Sequence, residues 1–334
     1  MSNKLNIGVV GLGRLGALYA SYFLGRIANA RLVAVSDVLA DVAEKFASEH
    51  DVPRWYQHYQ DLLADKAVDA VVIVTPTSLH KDVSVAAAQA GKAVFCEKPL
   101  SISLDESLAI KAAVAQTGIF FHLGFMRRFD KGYAAAHQKI AAGEIGTPIV
   151  FKSTSRDPYR PSLEYLAPEH SGGLLMDCGI HDMDLARWLM GEVRSVYSIG
   201  DVLAYPEMKA IGDVDNAIAT LTFASGALGV IDLSRSGVFG YDIRTEILGT
   251  QGTLQVGYIR ETPLLVLTKN NVAHDTVPYF MERFGQAYVD QLQNFVAHVR
   301  GDQPPAITCD DGIAALRVSL AATQSLHEQR PVTL

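Results

Sequence analysis

A glycine triad set between a strand and a helix constrains this chain more than any other feature. Leu5–Val10 is a short run rich in β-branched and aliphatic residues, and Gly11-Leu12-Gly13-Arg14-Leu15-Gly16 follows it directly. Asp37 stands at the end of a second such run, Leu32–Val35, about 20 residues beyond the triad. Each part has a physical reason. The first glycine permits a tight turn, the second lets backbone approach a pyrophosphate, and the third allows the helix to pack closely on the sheet. The helix N-terminus adds partial positive charge. Asp37 suits the two hydroxyls of a ribose and would repel a 2′-phosphate, and Val38, Leu39 and Ala40 offer no arginine to hold one. The fingerprint therefore predicts a dinucleotide site that takes NAD in preference to NADP, with Gly11 to Gly16, Asp37 and Val38 as contacts.

The runs continue beyond the triad. Leu32–Val35, Val68–Val74, Ala93–Cys96 and Ile119–Phe125 alternate with helical stretches, among them Leu104–Gln116. Such alternation predicts a doubly wound parallel sheet covered on both faces. After Pro148 the period changes to two. Ile149–Ser153, Val214–Phe223, Leu228–Ser234, Tyr241–Leu248 and Leu264–Thr268 read as strands of an open, mainly antiparallel sheet, closed by helices over Gly285–Arg300 and Asp311–Glu328. In Tyr241–Leu248 the alternation sets Tyr241, Ile243, Thr245 and Ile247 on one face and Asp242, Arg244 and Glu246 on the other. With 334 residues, 49% of them hydrophobic, the chain exceeds the size at which one core stops growing, so two α/β domains are expected, 1–124 and 125–334.

A net charge of −7 with scattered Lys and Arg gives no footprint for nucleic acid or an anionic membrane. No apolar stretch approaches spanning length and no leader precedes the first strand, so a soluble cytoplasmic protein is expected. Cys96, Cys178 and Cys309 are odd in number and far apart, which reads as reduced packing residues rather than a disulfide or zinc frame.

Two segments carry candidate chemistry beyond the triad. Thr75, Pro76, Thr77 and His80, in TPTSLH, and Glu97 and Lys98, in CEKP, follow the third and fourth strands at their carboxyl ends, where open α/β sheets bind ligands. The alternative for the first is a turn with a helix cap, and for the second a solvated surface lysine. Near an oxidised nicotinamide, like charge would disfavour the ammonium of Lys98 and suit it to proton traffic. In Ser171–Leu189, a continuous helix would set Asp177, His181 and Asp184 at i, i+4 and i+7 on one face, among mostly apolar neighbours. Buried carboxylates and an imidazole cost free energy unless paired or used. A structural His-Asp pair is the alternative; a metal site lacks a convincing ligand set, and none is expected.

Taken together, GLGRLG, TPTSLH, CEKPL, GFMRRFD (Gly124–Asp130) and GGLLMDCGIHDMD resemble the glucose-fructose oxidoreductase, inositol dehydrogenase and rhizopine-catabolism (Gfo/Idh/MocA) family over almost the whole chain. The resemblance implies a Rossmann domain followed by an α/β domain with an open antiparallel sheet, and a homotetramer or homodimer packed through that sheet. It implies catalysis by Lys98, Asp177 and His181, a cofactor contact from Met126, and substrate contacts from Lys98, Met126, Arg127, Asp157, Asp177, His181 and Tyr241. Arg127 equally suits a structural ion pair, Asp157 a turn before Pro158, and Tyr241 a core aromatic. A cis bond at Lys98–Pro99 is implied too, and variable chemistry around Tyr279–Phe284. The motifs look most like those of inositol 2-dehydrogenases, which implies NAD-dependent oxidation of a secondary hydroxyl of myo- or scyllo-inositol. An aldose 1-dehydrogenase yielding a lactone and a non-catalytic dinucleotide-binding sensor or transcriptional regulator stand as alternatives.

Overall fold

The computed structural model describes residues 4–258, 260–262, 264–301 and 306–334. Contacts divide them into two compact units, Met1–Phe125 with Tyr288–Ala314, and Met126–Ala287 with Ala315–Leu334.

The first unit is built on β1 (Leu5–Val10), α1 (Arg14–Gly25), β2 (Ala30–Ser36), α2 (Ala40–Glu49), β3 (Arg54–Tyr56), α3 (Tyr59–Ala64), β4 (Ala70–Ile73), α4 (His80–Gln89), β5 (Ala93–Glu97), α5 (Leu104–Thr117) and β6 (Phe121–Gly124). Its six strands run in parallel in the order β3-β2-β1-β4-β5-β6. This is the Rossmann order, reversing direction at β1 and β4. β4 and β6 are buried at every residue, as strands covered on both faces must be. β3 was not foreseen: its three residues, Arg-Trp-Tyr, are too few and too exposed to show a period.

The second unit adds α6 (Lys131–Ala141), β7 (Pro148–Arg156), α7 (Leu163–Leu166), α8 (Pro168–Ser171), α9 (Leu174–Asp177), α10 (Ile180–Met190), β8 (Val193–Asp201), β9 (Asn216–Phe223), β10 (Leu228–Ser234), β11 (Asp242–Gly249), β12 (Thr253–Val256), β13 (Val266–Leu267), β14 (Val272–Ala273), α11 (Phe280–Val299), α12 (Cys309–Glu328) and β15 (Val332–Thr333). Residues of α11 from Tyr288 and of α12 up to Ala314 belong to the first unit. Seven strands form an open sheet, β12-β11-β7-β10-β9-β8-β15, antiparallel except where β10 meets β7. Alternation decides its faces. Phe151, Ala219, Leu221, Ile231, Leu233, Ile243 and Ile247 are buried on one side, while Tyr197, Ile199, Ile218, Leu228 and Leu248 are exposed. The run Leu264–Thr268 does not join this sheet. Only Val266–Leu267 form a ladder, with β14 in a separate hairpin, because the run lacks alternation and presents no face to bury.

The helical continuity expected across Ser171–Leu189 also fails. α9 ends at Asp177, and the N–H of Gly179 reaches back to the carbonyl of Leu174, five residues earlier, before α10 begins. A Cβ at Gly179 would stand 2.5 Å from the Leu175 carbonyl oxygen and 3.0 Å from Leu233, so the break needs glycine. Asp177 and Asp184 therefore lie on separate helices, α9 and α10.

α10 is tied to the turn Met126–Phe129 by two ion pairs. Asp182 accepts from Arg127 at 2.9 Å, Ser153 at 2.5 Å and Ser155 at 2.7 Å, and is wholly buried. Asp184 accepts two hydrogen bonds from Arg128, at 2.9 and 2.5 Å. Truncating Asp182 strands a buried guanidinium. Asp182→Ala should lower unfolding free energy by about 3–5 kcal/mol in urea titrations, and Arg127→Leu with Asp182→Leu should cost less than the single change.

Candidate active site

The glycine triad of the first unit is shaped as the fingerprint requires. Gly11 has φ +90°, and a Cβ there would lie 2.7 Å from the Val74 carbonyl oxygen. A Cβ on Gly16 would lie 2.0 Å from the Gly11 carbonyl, whereas one on Gly13 would meet nothing within 4 Å. The first and third glycines thus serve packing, and the second faces open space. Gly13 is the N-cap of α1 and, as a glycine, brings no side chain over the first-turn N–H groups. Those donors fit a pyrophosphate. Asp37 is half-buried and its carboxylate accepts from the N–H of Leu12 at 2.8 Å and of Leu39 at 3.0 Å, which aims it beside the triad with lone pairs to spare. Val38 and Leu39 are exposed beside it. At the end of β4, Thr75 Oγ1 is buried with no hydrogen-bond partner among the described residues. These features fit NAD.

His80 and Glu97 are both buried. His80 is 1% exposed, its Nδ1 lying 2.7 Å from the Pro99 carbonyl and its Nε2 3.1 Å from that of Thr75. Burial holds its pKa below the usual histidine value, so the ring is neutral and clasps two loops. Glu97 accepts from the Tyr19 hydroxyl and from the Lys98 N–H at 3.1 Å, and Gln291 donates to Tyr19 at 2.6 Å. Burial pushes its carboxyl up. Lys98 is half-buried, and its bond to Pro99 is cis.

In the second unit, Asp177 closes α9 and His181 stands in the first turn of α10, 8% exposed. Asp177 accepts from the Tyr165 hydroxyl at 3.2 Å and from Arg235 at 3.1 Å. Asp157 accepts from the Cys178 thiol at 3.3 Å, with Arg235 3.8 Å away. Burial pushes the Asp157 carboxyl up, against the pull of Arg235. Cys178 thus belongs to an ionic cluster, unlike Cys96 and Cys309, whose thiols burial pushes up, that of Cys309 to about 12. Tyr241 packs edge-on to Tyr279 and Phe284, with ring centroids at 5.6 and 6.2 Å. Met126 is buried, and Arg127 is committed to Asp182 and stacked toward Phe284 at 5.7 Å. A cavity of about 410 Å³ lies by Tyr241, lined also by Arg244, Tyr258, Arg260, His274 and Arg283. Asp157, Asp177 and His181 are not among the residues that line it.

Two residues were missed from sequence, Arg235 and Asp182. A signal existed for the first: Ile231, Leu233 and Arg235 share the inward parity of β10, which puts a charge in line with core residues.

Family models for an oxidoreductase family match this chain in two parts, an NAD-binding Rossmann fold over residues 5–125 and a C-terminal alpha/beta domain over residues 137–334. The chain belongs to the Gfo/Idh/MocA oxidoreductase family. It is 42% identical to the scyllo-inositol 2-dehydrogenase (NAD(+)) of Bacillus subtilis, over 100% of this chain and 97% of the relative. It is 39% identical to the myo-inositol 2-dehydrogenase of Thermotoga maritima, over 99% of this chain and 98% of the relative. The crystal structure of scyllo-inositol dehydrogenase from Lactobacillus casei, with bound NAD(H) and scyllo-inositol, superposes with a TM-score of 0.93 at 31% identity, over 99% of each chain. An NAD-dependent oxidoreductase is the result.

Asp37→Ser removes the carboxylate beside the triad while leaving a small polar side chain. It should raise KM for NAD by about 10- to 100-fold, the worth of charged hydrogen bonds, and narrow the preference over NADP. Initial rates with both nucleotides check this.

Proposed function

We propose that this enzyme oxidises a secondary hydroxyl of an inositol, myo- or scyllo-inositol, to the corresponding inosose, acting as an inositol 2-dehydrogenase. The observation that carries the reading is full-length similarity to relatives named for both isomers, 42% and 39% identical. NAD, when bound, supplies the acceptor for the hydride. His181 takes the hydroxyl proton as the carbon–hydrogen bond breaks, and Asp177 orients the imidazole and stabilises the imidazolium. Asp177 can do this while bonded to Tyr165 and Arg235, because a carboxylate offers about four acceptor positions. Lys98 steadies the oxygen as the alkoxide becomes a ketone. Substrate contacts are assigned to Met126, Arg127, Asp157 and Tyr241, with Arg127 acting through its fixed charge.

The exposed apolar side chains on the open sheet face, Tyr197, Ile199, Ile218, Leu228 and Leu248, support assembly into a homotetramer or homodimer through that face. We place the enzyme in the cytoplasm, which suits its three free cysteines. Among the described residues no helix is long and apolar enough to cross a membrane.

NADH formation followed over myo-inositol, scyllo-inositol, other isomers, and D- and L-glucose tests the substrate. Higher kcat/KM on an inositol than on glucose is expected; the reverse order would make the enzyme an aldose dehydrogenase, and no turnover on any would favour a sensor. His181→Ala should lower kcat by about 10²–10⁴ with NAD affinity unchanged, and unchanged turnover rejects the assignment. Because the base must be neutral, kcat/KM for oxidation should rise from about pH 6 toward about pH 9, and a flat profile counts against it.

A further inference from the structure

We propose that Arg235 is a positioning residue for Asp177, fixing the orientation of the carboxylate and holding its negative charge. The proposal rests on the catalytic reading of Asp177 and His181 above.

Arg235 follows β10, and its side chain is wholly buried. Its backbone is pinned where the N–H donates to the Asp215 carbonyl at 2.9 Å. From this anchor one guanidinium nitrogen reaches Asp177 Oδ2 at 3.1 Å, and the other reaches Cys178 Sγ at 3.3 Å and stands 3.8 Å from Asp157. The fork therefore straddles the end of α9, where the chain breaks before the turn that carries His181. A buried guanidinium is expensive to desolvate, and a hydrophobic side chain would tie β10 to α9 at lower cost. What the guanidinium adds is a fixed direction and a fixed charge at one oxygen of Asp177.

Several groups share that field. Tyr165 on α7 donates to the other oxygen of Asp177, Cys178 adjoins it in sequence, and His181 follows in the first turn of α10. Asp157 after β7 and Asp213 before β9 both feel Asp177 as a like charge and Arg235 as an opposite one, and Arg127 lowers Asp157 as well. Three carboxylates thus crowd one guanidinium, and burial pushes Asp157 and Asp213 up. Without Arg235, Asp177 would compete for protons beside two carboxylates with no guanidinium opposing it from β10. The Asp177–His181 pair would then bind a proton more readily whichever member holds it. The acid limb of the pH profile must therefore move to higher pH.

The test compares Arg235→Gln, Arg235→Lys and Asp177→Asn in the full-length enzyme. It reads kcat and kcat/KM for the best inositol across pH, NAD affinity by fluorescence titration, and folding by circular dichroism. Arg235→Gln should lose kcat by about 100-fold, as expected of a misaimed catalytic group, keep NAD affinity within twofold, and shift the acid limb upward by roughly one pH unit. Arg235→Lys keeps the charge but not the fork, so it should recover the limb's position with only part of kcat. A loss in Arg235→Gln with the limb unmoved, or a loss of the same size in both variants, overturns the proposal in favour of a structural pair. Asp177→Asn separates the two failures: full turnover there rejects the catalytic reading itself, whereas lost turnover there with parental behaviour in Arg235→Gln rejects only the role of Arg235. If Arg235→Gln does not fold, Arg235→Lys decides, since lowered kcat with an unmoved limb supports the proposal and parental kcat overturns it.

Discussion

Two arginines side by side on one turn, each buried against an aspartate on α10, hold the second unit in its working shape. Arg127 meets Asp182 with both side chains at 3% exposure or less, and Arg128 meets Asp184 through two hydrogen bonds. Neither pair is a cheap source of stability, because desolvating four charges offsets most of the attraction. Their value is geometric. Asp182 also gathers Ser153 and Ser155, two hydroxyls on the inward parity of β7, so the helix is registered against the sheet as well as the turn. His181 stands immediately before this fixed residue. Its imidazole is thereby carried on a helix that Asp182 holds against rotation and sliding.

Around the break between α9 and α10, charge state is set by what each carboxylate can recruit. Asp215 is wholly buried, and burial alone would push its carboxyl up. The N–H groups of Leu203, Ala204 and Tyr205 and the amide of Asn216 outweigh burial and hold it below the usual carboxylate range. Asp157 has Cys178 and a more distant Arg235 instead, and burial prevails. Two aspartates are thus driven in opposite directions, one by burial and the other by the backbone donors it recruits, and such contrasts let one carboxylate stay ionised while another is readier to hold a proton.

What was legible in the sequence is what is written locally. The glycine triad, Asp37 and the buried runs of the parallel sheet each declare themselves within about 30 residues, the span of one βαβ unit. Of the second sheet, β7, β9, β10 and β11 read from their period of two, whereas β8, β12 and β15 were not read as strands. The partner choices were not legible: GFMRRFD and IHDMD are more than 50 residues apart, and nothing local says that Arg127 finds Asp182 and Arg128 finds Asp184. Spacing also misled where it assumed continuity. Asp177, His181 and Asp184 are spaced for one helical face, yet Gly179 interrupts the helix and Asp184 turns to Arg128. Leu264–Thr268 failed for the opposite reason, an apolar composition without the alternation that would give it a buried side.

In the first unit the same economy appears at His80 and Glu97. A neutral imidazole donates one proton, so His80 cannot satisfy both the Pro99 and the Thr75 carbonyls as a donor. One ring nitrogen donates and the other keeps its lone pair, with Nδ1 2.7 Å from the Pro99 carbonyl and Nε2 3.1 Å from that of Thr75. Protonation would satisfy both, but burial and the nearby Lys98 oppose it. The ring is therefore a spacer of fixed width between the ends of β4 and β5, bonded to one loop and held against the other. Glu97 does the complementary task on the other side of Lys98, spending its oxygens on Tyr19 and on the Lys98 N–H. The lysine between them is thereby carried on a fixed backbone, with its side chain half-buried.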